Sequence, residues 1–262
     1  MEAKAVKPKM KTPISYYGGK QSMLKYILPM IPEHRIYVEP FFGGGAVFFA
    51  KEPAKVEVIN DHNAMVVNFF EQIKSNFDEL KKMIDATPYS RTVYKKAMTI
   101  YEVPVIFSPK YRAWAFWVVT LQGFANQIGS WHSSNKHGKE AGNIANRRLA
   151  FTRELANRLS WTQIEQKDAV KLIHSLDSPE TFFYIDPPYV GAHQGHYGGY
   201  TQEHFNELLD TLSRLQGKFI LSSYPNDILD KYRQKYGWNN NDIQVRKSGK
   251  AKVEALTYNY AI

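Results

Sequence analysis

A β-prone run, Arg35-Ile36-Tyr37-Val38-Glu39, opens directly into Pro40-Phe41-Phe42-Gly43-Gly44-Gly45 and then into the helix-like residues 46–50. This feature narrows the fold more than any other. A strand that feeds a helix through a tight turn must be covered by that helix, and the next strand then returns parallel to the first. Val56-Glu57-Val58-Ile59-Asn60 reads as that returning strand, ending at Asp61, and residues 64–74 carry helical apolar spacing. Farther on, residues 161–165, 182–185 and 219–222 read as strands separated by helical patterns at 169–176 and 205–215, and 253–260 reads as a last strand. The alternation predicts an α/β fold on a mostly parallel, doubly wound sheet.

The remaining stretches divide the chain. Residues 1–11 form a basic N-terminal arm, and residues 21–31 have helical apolar spacing that stops at Pro32. Between residues 85 and 146 the strand–helix rhythm is lost, and aromatic residues mix with basic ones, which predicts an insertion. Residues 12–84 and 147–262 then make up the main domain. Trp114, Phe116, Trp117 and Leu121 are spaced as a buried helical face. No apolar run is long enough to span a bilayer, so a cytoplasmic, monomeric protein with no membrane partner is expected.

Lys and Arg number 34 against 25 Asp and Glu, a formal charge of +9, which favours a polyanionic partner. Cysteine is absent. That excludes disulfides, thiolate metal sites and any reaction needing a cysteine nucleophile, including attack on C5 of cytosine.

The glycine turn lets a ligand approach the backbone closely. It lacks the Lys-Ser/Thr ending of a phosphate-binding loop, which argues against a nucleoside triphosphate. Asp61, at the end of the second strand, stands where a carboxylate accepts hydrogen bonds from the ribose of NAD or S-adenosylmethionine. A purely structural reading is also open, in which the glycines make a turn and Asp61 caps the next helix.

Thr181-Phe182-Phe183-Tyr184-Ile185 is a buried-strand pattern that delivers Asp186-Pro187-Pro188-Tyr189 at its C-terminal end, where doubly wound sheets bind ligands. Two prolines stiffen the loop and remove two N–H donors, leaving the Asp186 carboxylate and the Pro187 carbonyl as acceptors. An exocyclic amine on a nucleobase is a poor nucleophile because its lone pair is delocalised. Acceptors on its hydrogens would stabilise positive charge on nitrogen as it attacks a sulfonium methyl, and Tyr189 would stack on the base.

Together these segments resemble the Dam-like DNA adenine-N6 methyltransferases. Tyr16-Tyr17-Gly18-Gly19-Lys20 is similar to the family's N-terminal motif, Glu39 to Gly45 to its glycine loop, Asn60-Asp61-His62-Asn63 to its ribose motif and Asp186 to Tyr189 to its catalytic motif. The strand at 219–224 and the closing strand Glu254-Ala255-Leu256-Thr257-Tyr258-Asn259-Tyr260 extend the likeness. The resemblance implies a Rossmann-like methyltransferase sheet, mostly parallel with a C-terminal antiparallel strand, plus an inserted, mainly helical target-recognition region at 85–146. It implies S-adenosylmethionine as cofactor and duplex DNA as substrate. Tyr16, Lys20, Asp61 and Asp186 would contact the cofactor, and Glu39, Phe41, Gly43 and Gly45 would shape the methionine pocket. Asp168 stands where the family often places an acid near the cofactor's adenine, and equally where a helix N-cap is expected. The catalytic residues would be Asp186, Pro187, Pro188 and Tyr189.

Within the insertion, Arg91, Lys95, Lys96, Lys110, Arg112, Lys136 and Lys139 are candidate DNA contacts. Residues 194–200, with Tyr197 and Tyr200, are a candidate flap over a flipped adenine. His193 and His196 lack companion ligands, and methyl transfer from a sulfonium needs no metal, so none is expected. A cognate restriction endonuclease is a candidate partner. Two other readings remain: an RNA adenine or cytosine-N4 methyltransferase, and a catalytically inactive DNA-binding relative. An NAD-dependent oxidoreductase would leave Asp186 to Tyr189 unexplained.

Overall fold

The computed structural model describes residues 10–16, 18–124, 128–133, 139–190, 199–247 and 250–262. The chain begins with 3-10 turns at Gln21–Met23 and Leu28–Met30 on either side of α1 (Leu24–Ile27). Then come β1 (Ile36–Glu39), α2 (Ala46–Ala50) and β2 (Val56–Asn60). A helical run follows: α3 (Ala64–Ser75), α4 (Phe77–Asp85), α5 (Arg91–Glu102), α6 (Pro109–Gln122), α7 (Lys139–Leu149) and α8 (Arg153–Leu159). The last part is β3 (Thr162–Glu165), α9 (Ala169–Leu176), β4 (Thr181–Ile185), α10 (Gln202–Leu212), β5 (Lys218–Ser223), α11 (Asp227–Tyr236), β6 (Asn239–Lys247) and β7 (Lys250–Tyr258).

Two compact units are present, one of residues 1–25, 43–51 and 63–166, the other of 26–42, 52–62 and 167–262. In the second, strands run in the order β2-β1-β4-β5-β7-β6. β2, β1, β4 and β5 are parallel, while β7 is antiparallel to both β5 and β6. Strand order therefore reverses between β1 and β4, the place where a doubly wound sheet opens a ligand crevice. Every residue of β4 is buried, which accounts for its unbroken apolar run. Val38, Val58, Phe183, Ile185, Phe219 and Leu221 pack with Leu208 and Leu209 of α10 into this unit's core.

The sequence-based fold class holds, with one addition. Instead of a single antiparallel strand, the C-terminus forms a hairpin of two, because Asn239–Lys247 pairs with β7 over nine registered positions. The polar string Asn239-Asn240-Asn241-Asp242 gave no strand pattern; cross-strand hydrogen bonding overrides its low β propensity. Helix α10 also begins three residues before the periodic pattern at 205. Thr201 and His204 form a reciprocal capping box that starts it there.

In the first unit the core is aromatic. Phe69 meets Phe116 at 5.7 Å, and Phe77 stacks on Phe151 at 5.3 Å. Phe116 and Trp117 are fully buried on α6, as their spacing predicts, whereas Trp114 is half-buried and donates its indole N–H to Thr87. Among the described residues, no helix is long and apolar enough to cross a membrane.

Candidate active site

The parallel strands of the second unit bring four chemically distinct termini to one edge. Glu39 ends β1 in register with Ile59, so Asn60, the last residue of β2, and Asp61 after it lie just beyond that point. Asp186 follows Ile185, whose register partner on β5 is Leu221, two residues before Ser223. Adjacent strands are about 4.8 Å apart, so these side chains converge because the C-terminal ends of the strands coincide.

Glu39 is buried, and its carboxylate accepts a hydrogen bond from the Tyr37 hydroxyl at 2.8 Å. Burial, followed by the charge of Glu39, raises the Tyr37 phenol well above its ordinary pKa, so it remains a donor. Phe41 is half-buried and meets Tyr200 edge to face at 6.2 Å.

Asn60, 1% exposed, is the fastener of this edge. Its amide donates to Pro40 O at 2.9 Å and to Lys167 O at 3.1 Å, and its oxygen accepts from Lys167 N at 2.8 Å. Its own carbonyl accepts from Phe42 N at 2.9 Å. One side chain thus joins the glycine loop to the segment before α9. Asn60 lies in the Asn60-Asp61-His62-Asn63 motif, but nothing local in the sequence marks this fastening role.

Asp61 is 2% exposed. The structural alternative for it fails, because α3 is capped by Asn63, whose side chain accepts from Met65 N at 2.9 Å. Asp168, by contrast, is exposed and caps α9, accepting from Lys171 N at 2.9 Å.

Beyond β4, the Tyr189 hydroxyl lies within hydrogen-bonding reach of Asp186 Oδ1 at 3.3 Å and donates to Glu254 of β7. Its ring meets Tyr224 edge to face at 4.5 Å. Burial first, and then the charges of Asp186 and Glu254, hold the Tyr189 phenol well above its usual pKa. Tyr184 beneath is raised chiefly by burial and next by Asp186, and its hydroxyl pairs with Ser222 at 3.1 Å. Pro187, Pro188, Tyr189, Phe205, Ser223 and Tyr224 are among the residues lining a small open cleft of about 70 Å³. The Ser223 hydroxyl is buried with no hydrogen-bond partner among the described residues. Glu254 and Ser223 have no distinguishing mark in the sequence: an acid on a last strand and a serine in a Ser-Ser pair carry no local signal.

In the first unit, Tyr16 is buried, its hydroxyl accepts from Asn63 Nδ2 at 3.3 Å, and its carbonyl accepts from Gly19 N at 3.1 Å. Lys20 is buried and donates to Gly18 O at 3.0 Å. Arg147 fixes the approach to Tyr16 by donating to Thr12 O and to Ser15 Oγ, at 3.2 and 2.9 Å. Gly43 and Gly45 have φ of 50° and 67°, the left-handed region, so the turn into α2 requires glycine at both positions.

Of the candidate DNA contacts, Lys95, Lys96 and Lys139 are exposed. Lys110 lies 3.5 Å from Glu79, and the Arg91 guanidinium sits 4.8 Å from the Trp131 ring centre. Arg112 is half-buried. Residues 1–9, Tyr17, Lys136, His193, His196, Tyr197 and the rest of 194–198 lie outside the described residues. Among the described residues, no acidic or histidine cluster suited to a metal is present.

The family model for D12 class N6 adenine-specific DNA methyltransferases matches residues 16–245. A type II methyltransferase, M1.LlaDCHI of Lactococcus lactis subsp. cremoris, is 41% identical over 68 residues, 26% of this chain and 24% of that protein. Modification methylase StsI of Streptococcus sanguinis is 27% identical over 201 residues, 71% of this chain and 30% of its own length. The DNA N-6-adenine-methyltransferase of Escherichia phage P1 is 39% identical over 57 residues, 22% of this chain and 7% of that protein. The chain thus spans under a third of these relatives' lengths. An rRNA methylase structure from Streptococcus thermophilus aligns over 91% of this chain and 93% of its own, at 10% identity and a TM-score of 0.38.

Proposed function

The chain belongs to the D12 class of N6 adenine-specific DNA methyltransferases, and from that premise we propose that it transfers the methyl group of S-adenosylmethionine to N6 of an adenine extruded from duplex DNA. The observation that carries the reading is the loop Asp186-Pro187-Pro188-Tyr189, set at the end of a wholly buried strand beside an open cleft.

The residues present suit the cofactor. Glu39, Asp61 and Asp186 give the C-terminal edge three carboxylates, an acceptor set matched to a ligand with a ribose diol and positive charges on ammonium and sulfonium groups. Asp61, buried just past the end of β2, would take the ribose hydroxyls. Glu39, Phe41, Gly43 and Gly45 would contact the methionine end, and Tyr16 and Lys20 are the further cofactor contacts the family resemblance implies. Asp168 already has a role as a helix cap, so its contact with the cofactor's adenine is the least supported of these assignments. When bound, the cofactor supplies an activated methyl on a sulfonium.

The chain's own work is to make N6 nucleophilic. The Asp186 carboxylate and the Pro187 carbonyl accept the two N6 hydrogens, favouring positive charge on nitrogen as the new bond forms. Proline at 187 and 188 removes N–H donors that would compete for the carboxylate. Tyr189 offers its ring face to the base, and the Ser223 hydroxyl is positioned in the cleft wall as a further partner for it. Residues 85–146, with exposed Lys95, Lys96 and Lys139, form the target-recognition region in this reading. The type II and modification-methylase names of the relatives support pairing with a restriction endonuclease, and a monomer suffices for the chemistry.

The test is transfer of radiolabelled methyl to adenine-unmethylated duplex DNA, with single-stranded DNA and RNA in parallel and nucleoside analysis of the product. Label in N6-methyladenine from duplex DNA is expected, and Asp186→Ala abolishes it. Label confined to RNA or to N4-methylcytosine refutes the substrate assignment. Near-normal turnover by Asp186→Ala refutes the mechanism.

A further inference from the structure

We propose that Glu254 is a positioning residue for methyl transfer: by taking the single phenolic proton of Tyr189, it keeps that proton off Asp186 and leaves Asp186 the stronger acceptor for the N6 amine. This rests on the assignment of Asp186 as that acceptor. The geometry is specific. The Tyr189 hydroxyl lies within reach of both carboxylates, with Asp186 Oδ1 at 3.3 Å and Glu254 Oε1 the nearer of the two.

A phenol has one proton and can donate it to one strong acceptor at a time. Burial and the adjoining negative charges keep the phenol protonated, so its hydroxyl is a donor to one carboxylate or the other. Given to Asp186, the proton would compete with the amine for the carboxylate's lone pairs and withdraw electron density from it. Given to Glu254, it does not compete with the amine for the lone pairs of Asp186.

Glu254 is suited to the task by its place in the fold. It is 7% exposed on β7, where Ala255 registers with Ser223 of β5, so the strand runs past the cleft wall. Alternation along a strand puts Lys252 and Glu254 on one face. Lys252 donates to the Tyr224 hydroxyl at 3.1 Å, so neighbouring positions of β7 hold the hydroxyls of both tyrosines whose rings meet at 4.5 Å. The closing strand thus acts on the catalytic loop without touching substrate.

The experiment is steady-state kinetics on the full chain with S-adenosylmethionine and adenine-unmethylated bacterial chromosomal DNA. Glu254→Ala is expected to lower kcat about tenfold to a hundredfold, the range for one hydrogen bond to a charged group, with both KM values within about threefold of the parent. Glu254→Gln, which keeps size and a carbonyl acceptor, loses less. The decisive variant is Tyr189→Phe added to Glu254→Ala. With the phenolic proton gone, nothing from Tyr189 competes at Asp186, and kcat recovers several-fold over Glu254→Ala alone. A purely structural role predicts that the double variant is no better than the single one, and that result overturns the proposal, as does an unchanged kcat in Glu254→Ala. Asp186→Asn separates the two levels. If it is inactive while the double variant fails to recover, only the role of Glu254 falls; if it turns over normally, the assignment of Asp186 falls with it.

Discussion

Replacing Asn60 tests whether the C-terminal strand edge of the second unit is held together by one side chain. Its amide makes three hydrogen bonds to backbone atoms of Pro40 and Lys167, at 2.8 to 3.1 Å. Each such bond contributes about 1 kcal/mol net, and a buried partner left unmatched costs about as much again or more. Asn60→Ala is therefore expected to lower the unfolding free energy by about 3 kcal/mol, a large part of the roughly 5–15 kcal/mol typical of a folded domain. Asn60→Asp is nearly isosteric and sharpens the test. A carboxylate still accepts from Lys167 N but faces the Pro40 and Lys167 carbonyls with no proton to donate. That raises its folded-state pKa above the unfolded value, so stability is retained at low pH and lost as pH rises through the folded pKa. Urea unfolding at two pH values measures both effects, with an unchanged slope showing that only stability has moved. A loss below about 1 kcal/mol for Asn60→Ala, or no pH dependence in Asn60→Asp beyond the parent's, would refute the reasoning.

Two further substitutions probe the ligands. Asp61→Ala removes the carboxylate assigned to the ribose hydroxyls and is expected to weaken S-adenosylmethionine binding about a hundredfold by calorimetry, the value of one to two charge-assisted hydrogen bonds; an affinity within about threefold of the parent would remove that role. Lys95→Ala with Lys96→Ala takes two exposed charges from α5. If both contact phosphates, the slope of log affinity for DNA against log salt falls by about two, and an unchanged slope would place the backbone contacts elsewhere.

The parts of the fold legible in the sequence are those whose environment leaves a periodic trace. β4 is buried on both faces and reads as five apolar or β-prone residues in a row; the end of β2 at Asn60 is marked by the acid that follows it and by a helix with clear spacing. Strand β6 left no such trace, since its pairing to β7 satisfies the backbone whatever side chains it carries. Helix α11 has no clear periodic trace although its end signals are present: Asn226 caps it through Leu229 N, Asp227 and Asp230 fill its first turn, and Gly237 ends it at φ 65°. Those signals were outweighed by weak apolar spacing in a segment dominated by charged and polar residues.

The site divides along the same line. Residues carried by short, contiguous motifs, such as Glu39 to Gly45 or Asp186 to Tyr189, are visible because the turn chemistry and the function act on neighbouring positions. Asn60 and Glu254 act across 107 and 65 residues of chain, and only strand order brings their partners to them. The same distance explains why a motif residue such as Asp168 reads ambiguously: a helix cap and a ligand carboxylate demand the same residue type at the same position. At Asp61 that ambiguity is resolved by a neighbour, because a helix has one N-cap and Asn63 occupies it. Asp168 is therefore committed to a helix cap and Asp61 is not, which is why the ribose contact is proposed for Asp61 rather than for Asp168.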